Sequence, residues 1–347
     1  MSFTVGIEEE LLLVTPDGSG LRDDAPEVVA AMGAEPSAAG PEAHAAVVEL
    51  RSPPSERAED AASALAACRR SAVDAGATLM GVGLHPTAPW GDAALNGGER
   101  YASVGETMRG LITRTPECAL HVHVGMPGPE EAIVACNGLR EHLPLLIALA
   151  GNSPWWDGTD SGLASARWAV VRSYPRRGVP RVFRDRADYD ETVAAFLAAG
   201  DLDDPTFAWW DIRPHPVLGT VEVREMDVQS SLGATAGIAA LVRGLARAAV
   251  ERPAAEHQPP EAIAESCFRA ARDGVGARLL HDGALRPVAE IAAAAMALAG
   301  DDPALEGIER ILAEGNGADR RRAAHAGAGT EGMLADLVAE TAATFER

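Results

Sequence analysis

The sequence predicts an α+β fold whose sheet is mostly antiparallel, with helices on one face and a ligand site on the other. Two observations lead to this prediction. Strand-like and helical segments alternate along the chain, and three of the strands place polar side chains in pairs on a single face. A sheet with one face open to ligand favours antiparallel or mixed pairing, because parallel sheets are usually covered on both faces.

The first strand contains three successive glutamates, Glu8, Glu9 and Glu10, between β-branched and apolar residues. Side chains alternate along a strand, so Glu8 and Glu10 share one face and Glu9 lies on the other. Two carboxylates about 7 Å apart on one face repel each other unless a cation or several donors lie between them. The pattern predicts a carboxylate platform for a divalent metal, and an edge strand with its acidic face in water is the alternative.

Further polar pairs follow on other strands. They are His121 and His123 on strand 119–125, Glu222 and Arg224 on strand 219–227, and Glu42 and Glu49 beside strand 47–50. Each pair has a structural alternative, namely a hydrogen-bonded core or a same-face ion pair, and Cys118-x-x-His121-x-His123 could be called a zinc motif. Together, carboxylates, a histidine and an arginine favour Mg²⁺ or Mn²⁺ beside a phosphate, which indicates nucleotide chemistry on the open sheet.

The remaining segments predict one domain over residues 1–347, mostly helical from about residue 232. Further predicted elements are a turn at 15–20, a strand at 78–84 and helices at 56–76, 129–149, 188–199, 232–251, 260–273, 287–299, 303–314 and 333–345. Segment 209–216 is predicted to be irregular. The polar stretch 152–180 is predicted to be a functional loop, whose arginines could attract a nucleotide.

Composition excludes several classes of function. A net charge of −21 argues against nucleic acid and anionic membranes as partners, because both require a basic surface. We expect no signal peptide and no membrane span, and the four scattered cysteines predict reduced thiols in a cytoplasmic protein. The chain has no lysine among its 30 basic residues, which excludes a P-loop lysine and Schiff-base chemistry, so any phosphate must be held by arginine, backbone N–H groups or metal.

Nine segments of the chain also form a recognisable series. In order they are TVGIEEE from Thr4, VVEL from Val47, GVGLHP from Gly81, GERY from Gly98, LHVHVG from Leu120, SPWWDGTDSGLASAR ending at Arg167, WWDIRPHPVLGTVEVREMD from Trp209, FRAARDG from Phe268 and GNGADRRRA from Gly315. This series resembles the carboxylate-amine ligase family related to type 2 glutamate-cysteine ligases. The resemblance covers essentially the whole chain, and the WDIRP…GTVEVR block is very specific.

The resemblance implies a curved, glutamine synthetase/guanidino kinase-like catalytic domain. The implied activity is an ATP-dependent ligation with Mg²⁺ or Mn²⁺, in which a carboxylate is activated as an acyl phosphate and attacked by an amine. The implied site comprises metal ligands Glu8, Glu10, Glu42, Glu49, His121 and Glu222, catalytic Arg224 and Glu10, nucleotide or phosphate contacts Arg224 and Arg213, and substrate contacts Arg167 and His123. The resemblance implies glutamate as the default acid and cysteine, or another amine, as the default amine.

Two alternatives to the ligase stay open from the residues alone. One is a phosphotransferase acting on a nitrogen acceptor, and the other is a non-catalytic nucleotide-binding protein. The clustered carboxylates argue against the second, because they would only repel one another without a ligand. A homo-oligomer is also open, and the sequence does not identify the acid or the amine.

Overall fold

Short runs of alternating or continuous apolar residues form the strands. The computed structural model describes residues 3–33, 35, 37–91, 93–343 and 345. Its strands are β1 Val5–Leu13, β2 Ala39–Pro41, β3 Val47–Arg51, β4 Leu79–Met80, β5 Ala119–Gly125, β6 Trp155–Trp156, β7 Thr159–Asp160, β8 Ile212–His215, β9 Thr220–Asp227, β10 Arg278–His281 and β11 Ala284–Pro287.

Seven of these strands form the main sheet, in the order β2-β3-β1-β5-β9-β8, with β4 also paired to β1. Every strand pairing in the described part of the chain is antiparallel. The predicted α+β class with a mostly antiparallel sheet is therefore confirmed. Two small hairpins, β6–β7 and β10–β11, lie outside the main sheet.

The described part of the chain contains twelve α-helices, several of which cover one side of the main sheet and enclose the apolar core. They are α1 Ala25–Met32, α2 Ala58–Asp74, α3 Glu99–Met108, α4 Pro129–Arg140, α5 Leu143–Ala150, α6 Ala166–Val171, α7 Arg186–Gly200, α8 Leu232–Glu251, α9 Pro260–Asp273, α10 Val288–Ala299, α11 Glu306–Glu314 and α12 Gly317–Ala342. Helix α8 packs against α2, α4, α10 and α11 and against strands β1 and β5. Apolar side chains of β1 such as Leu11 and Leu13 are fully buried in this core.

By length and composition alone, α8 would also suit a membrane span, as would α4 and α5 taken together as one segment with a 63° bend. In the fold, however, 72% of the apolar window of α8 is buried among the surrounding elements. That burial is typical of the central helix of a globular core.

The structure differs from the predicted elements at several places. The predicted helix 129–149 is two helices, and the predicted strand 78–84 shortens to β4. Segment 209–216 contains strand β8, and the polar stretch 152–180 contains hairpin β6–β7 and helix α6. The predicted last helix, 333–345, corresponds to the part of α12 that follows the break at Gly329, whereas α12 as a whole begins earlier, at Gly317; position 344 lies outside the described residues.

Helix α12 begins at a capping box that explains its early start. The side chain of Asn316 accepts a hydrogen bond from the backbone N–H of Asp319 at 3.2 Å, and Asp319 in turn accepts one from the N–H of Asn316 at 3.1 Å. Both groups satisfy N–H donors that a helix start leaves free. The helix is interrupted at Gly329, whose φ of 68° is left-handed.

Candidate active site

Strand pairing brings the predicted acidic and histidine side chains together on one face of the main sheet. The register pairs Glu10 with Glu49, Glu8 with His121, and His123 with Glu222. Directly opposed residues of antiparallel strands point to the same face, with Cβ atoms roughly 4.5–5.5 Å apart. A row of carboxylate and imidazole groups therefore crosses strands β3, β1, β5 and β9.

The row contains candidate sites for cations. In the described part of the chain, three groups of side chains bring their ligand atoms within 4.8 Å of one another. They are Glu8 with His123 and Glu222, Glu8 with Glu49 and His121, and Glu10 with Glu42 and Glu49. Glu8 and Glu49 belong to two groups each, so each of these carboxylates could hold a cation at either position. Oxygen ligands with a single imidazole suit Mg²⁺ or Mn²⁺.

The pKa values of Glu10 and Glu49 show that burial and neighbouring carboxylates disfavour the ionised form of these side chains. Burial, followed by the charges of Glu117 and Glu42, raises the pKa of Glu10 well above its usual value. Burial and the charges of Glu8 and Glu42 raise the pKa of Glu49 to about 8. Bound divalent cations would remove this conflict by stabilising the ionised carboxylates, so the donor set fits the metal that the resemblance implies.

The pKa values of the two histidines of β5 are shifted in opposite directions. Burial and the charge of Arg224 lower the pKa of His121 to about 4, which leaves the neutral imidazole that ligates metals. Its Nδ1 lies 3.3 Å from Glu8 Oε2. For His123, burial lowers the pKa, but the carboxylates of Glu8 and Glu222 outweigh burial and the net shift is upward.

Two arginines stand at the β8–β9 end of the row and share Glu222. Arg213 Nε donates to Glu222 Oε2 at 2.7 Å, and Arg224 Nη1 donates to Glu222 Oε1. Burial alone would raise the pKa of Glu222, but these cations hold it well below its usual range. Arg224 Nε is buried without a hydrogen-bond partner, so this guanidinium keeps a donor for an anionic ligand.

A cavity of about 390 Å³ lies over the row. Its size falls within the roughly 300–1,000 Å³ typical of small-molecule sites. Of the residues predicted for the site, all but Arg167 line it: Glu8, Glu10, Glu42, Glu49, His121, His123, Arg213, Glu222 and Arg224. The other walls come from α3, from the 172–178 and 206–209 segments and from the β8–β9 turn.

Arg167 lies behind one wall of the cavity and is fully buried. Its Nε donates to Glu117 Oε2 at 2.6 Å, and its Nη1 lies 3.9 Å from Asp227 Oδ1. Glu117 does line the cavity, so Arg167 reaches the site through that carboxylate. The role of Arg167 toward a substrate carboxylate stays a prediction.

Several cavity residues were not singled out by the sequence analysis. Glu117, Tyr174, Arg177 and His215 all line the cavity. Glu117 and His215 adjoin predicted strands, and this position was an available signal. Arg177 was one of many arginines in a polar stretch, and nothing in the sequence distinguished it from its neighbours.

Comparisons with known proteins agree with this architecture. The profile of glutamate-cysteine ligase family 2 matches residues 4–340. A relative in Rubrobacter xylanophilus, provisionally named glutamate–cysteine ligase 2-3, is 38% identical over an alignment that covers 98% of this chain and 97% of the relative.

Two solved structures share the fold. The glutamate–cysteine ligase of Francisella tularensis, solved in complex with AMP, superposes with a TM-score of 0.73 at 13% sequence identity. The superposition covers 99% of this chain and 88% of the Francisella chain. A bifunctional glutathione synthetase from Pasteurella multocida has a TM-score of 0.67 at 12% identity, and 98% of this chain covers 52% of it. The predicted resemblance is confirmed, and with it the prediction of a carbon–nitrogen ligase. The chain belongs to glutamate-cysteine ligase family 2.

Proposed function

We propose that the chain is an ATP- and Mg²⁺-dependent carboxylate–amine ligase, with glutamate and cysteine as the default acid and amine. The row of carboxylates and imidazoles that ends at Arg213 and Arg224 supports this most, because it combines cation ligands with phosphate donors in one cavity. The name of the Rubrobacter relative supports glutamate and cysteine. The AMP in the Francisella structure supports an adenine nucleotide.

In the proposed reaction, a carboxylate oxygen of the acid attacks the γ-phosphorus of ATP, and the bond from that phosphorus to ADP breaks. The amine nitrogen then attacks the acyl carbon, phosphate leaves with the electrons of the C–O bond, and the nitrogen loses a proton. Mg²⁺, when bound, supplies neutralisation of the phosphate charge and orientation of the phosphate chain.

The side chains have distinct proposed roles. Glu8, Glu10, Glu42, Glu49, His121 and Glu222 hold the cations. Arg224 contacts the transferred phosphoryl group, and Arg213 fixes Glu222 beside it through the 2.7 Å hydrogen bond. The position of His123, whose Nε2 lies 3.6 Å from Glu8 and 3.8 Å from Glu222, fits a cation ligand as well as the substrate contact that the resemblance implies. A cytoplasmic setting is part of the proposal and is supported by the four free cysteines.

The proposal is tested by measuring ADP release from ATP and Mg²⁺ across a panel of acids and amines. The wild type is compared with Glu10→Gln, which keeps the size of the side chain and removes its charge. Glu256→Gln is the matched control, because Glu256 is exposed and distant from the cavity lining. We expect ADP only when an acid and an amine are both present, with release lost in Glu10→Gln and kept in Glu256→Gln.

Other outcomes of this assay would contradict the ligase. ADP formed with a single substrate, together with a stable phosphorylated product, would indicate the phosphotransferase. ATP binding without ADP release for any pair would favour a non-catalytic nucleotide-binding protein. Equal loss in both variants would show that the assay does not report on the acidic row.

A further inference from the structure

Four histidines of the described chain line the cavity, and the state of the Nδ1 atom distinguishes one of them, His44. In the other three, Nδ1 has a neighbour: Glu8 Oε2 at 3.3 Å from His121, Thr220 Oγ1 at 3.0 Å from His123, and the N–H of Leu218 at 3.3 Å from His215. Among the described residues, the side chain of His44 makes one hydrogen bond, and that bond uses Nε2. Its Nδ1 is therefore free for a ligand.

The ring of His44 is held in one orientation. Its Nε2 lies 2.8 Å from the carbonyl oxygen of Ile112, and a carbonyl can only accept, so Nε2 carries the proton. In the neutral ring the other nitrogen then has a free lone pair, so Nδ1 is an acceptor. The backbone is fixed as well, by a bridge to Leu95 and by the side chain of Asn96, which donates to the carbonyl of His44 at 3.3 Å. The acceptor is thus in place before any ligand binds.

His85 shows how the fold completes a similar ring away from the cavity. Its Nε2 also donates to a carbonyl, that of Gly18 at 3.0 Å, but its Nδ1 accepts the N–H groups of Thr87 and Ala88 at 3.2 and 2.9 Å. Both rings are buried, with 1% of His85 and 3% of His44 exposed, and His85 lies outside the cavity lining. The fold supplies both partners to the remote ring and one partner to the ring in the cavity wall.

The surroundings of His44 favour a ligand nitrogen over a cation as its partner. His44 belongs to none of the three groups of candidate cation ligands in the described chain. The nearby carboxylates have other partners, since Glu42 is in a cation group and Glu117 is paired with Arg167 at 2.6 Å and with Arg177 at 3.5 Å. A free carboxylate would also stabilise the protonated form of an amine, which has no lone pair for attack. A neutral imidazole accepts an N–H and carries no such charge.

We propose that His44 Nδ1 accepts a hydrogen bond from the nitrogen of the amine substrate and so directs the lone pair of that nitrogen toward the acyl carbon. This inference rests on the proposed ligase function. A neutral primary amine has two N–H bonds and one lone pair, so fixing one N–H restricts the direction of the lone pair. The substrate class is an amine with at least one N–H, such as the α-amino group of an amino acid.

His44→Gln is the sharpest variant, because the glutamine amide N–H can replace Nε2 at the Ile112 carbonyl while the Nδ1 acceptor is lost. We expect kcat/KM for L-cysteine to fall about 3- to 10-fold, as the loss of one neutral hydrogen bond predicts. The KM values for ATP and L-glutamate and the Mg²⁺ requirement should not change. His44→Asn places an amide oxygen near the position of Nδ1 and should recover most of the loss, although it gives up the bond to Ile112.

His85→Gln is the matched control. It removes the acceptor of two backbone N–H groups outside the cavity lining, so it should lower stability and leave kcat/KM for L-cysteine unchanged. An equal fall in kcat/KM in His85→Gln and His44→Gln would show a general effect of losing a buried imidazole and would overturn the proposal. A raised Mg²⁺ requirement in His44→Gln would make His44 a cation ligand and would overturn it as well.

Positional isotope exchange in ATP separates this inference from the ligase function, because forming the acyl phosphate requires the acid and no amine. We expect exchange with L-glutamate and Mg²⁺ at the same rate in the wild type and His44→Gln, and a difference only when L-cysteine is added. Exchange in the wild type with equal kcat/KM for L-cysteine in both proteins would overturn the role of His44 and leave the ligase intact. Slower exchange in His44→Gln would place His44 in the activation of the acid and overturn its role toward the amine. A wild type with neither exchange nor amine-dependent ADP release would overturn the ligase and this inference together.

Discussion

Adjacent glutamates on the two faces of strand β1 have different hydrogen-bond partners. On the helix-covered face, Glu9 is fully buried and receives hydrogen bonds from both Arg69 Nη2 and Nε, at 2.8 and 3.0 Å, and from Thr235 Oγ1 at 2.8 Å. On the cavity face, Glu10 accepts one hydrogen bond, from the N–H of Ala119 at 2.6 Å, and otherwise faces further carboxylates. One acid has a complete set of partners and its neighbour does not.

This difference separates a structural carboxylate from those that suit a ligand. Arg69 also donates to the backbone carbonyls of Gln229, Ser230 and Thr341, so the Glu9–Arg69 pair joins β1 and α2 to the end of β9 and to α12. Buried charges are tolerated when they are paired and fully hydrogen-bonded in this way. On the cavity face, Glu222 is likewise paired with Arg213 and Arg224, and Glu49 is paired with Arg51. Among the described residues Glu10 has no arginine partner of this kind, and a bound cation would compensate its charge.

The largest expected effect comes from the covered face. Glu9→Gln should lower the free energy of unfolding by about 3–5 kcal/mol, because it leaves the guanidinium of Arg69 buried without its counter-ion. Urea denaturation measures this. The exposed Glu256→Gln should stay within about 0.5 kcal/mol of the wild type. A loss below about 1 kcal/mol in Glu9→Gln would mean that the completeness of hydrogen bonding does not mark a structural carboxylate here.

On the open face, a substitution should lower activity and leave the free energy of unfolding nearly unchanged. Arg224→Met should lower kcat for ADP release by about 10²–10³-fold, or roughly 2.7–4 kcal/mol of transition-state stabilisation, because a donor to the transferred phosphoryl group is lost. The free energy of unfolding should change little, since Glu222 keeps its pairing with Arg213.

Arg224→Lys is the control for charge at this position. It keeps the cation and loses the planar fork, so it should recover part of the rate. If Arg224→Met unfolded the protein as readily as Glu9→Gln, the arginine would be a structural partner of Glu222 and the contrast between the faces would fail.

Much of the fold followed from local patterns. The two-residue periods of β5 and β9 placed His121, His123, Glu222 and Arg224 on their observed faces, because alternation along a strand is independent of the rest of the chain. Strand β8 was missed because it contains Pro214, which is unfavourable inside a strand. Since β8 lies at the edge of the sheet, proline is tolerated there. The first half of α12 was missed because its glycines and few large apolar residues give no clear helical period.

In the candidate site, too, residues in segments with a clear local pattern were predicted more readily than the rest. The acidic and histidine residues on β1, β3, β5 and β9 were predicted. On the connecting segments Glu42 was predicted, but Glu117, Tyr174 and Arg177 were not, and His215 on β8 was also missed. Which segment folds over the open face depends on long-range contacts, such as the backbone pairing of Gly178 with Asp211. No local pattern reports such contacts. The structure likewise separates Arg177, which lines the cavity, from Arg167, which is fully buried behind Glu117.

The smallest expected effect is a dependence of stability on pH that arises largely at Glu49 on the open face. The pKa of Glu49 is raised from 4.5 to about 8 by burial and by the charges of Glu8 and Glu42. Between these values the folded protein binds more protons than the unfolded chain, so the stabilisation present at low pH is lost as pH rises toward 8. His121, with its pKa lowered from 6.5 to about 4, acts in the opposite sense, but only below about 6.5.

The window from pH 7 to 8 reports mainly on the acidic row. Burial and the charge of Glu225 raise the pKa of Asp211, which lies outside the row, to about 7, so that group titrates mainly below this window. In metal-free protein the free energy of unfolding should fall across it, by at most about 1.4 kcal/mol per pH unit for each titrating group. Denaturation in EDTA measures the slope. Glu49→Gln should flatten it, and Mg²⁺ should as well, because a bound cation stabilises the ionised carboxylates that burial disfavours. A slope that survived both Glu49→Gln and Mg²⁺ would place the titrating group elsewhere and remove the electrostatic argument for cations on the open face.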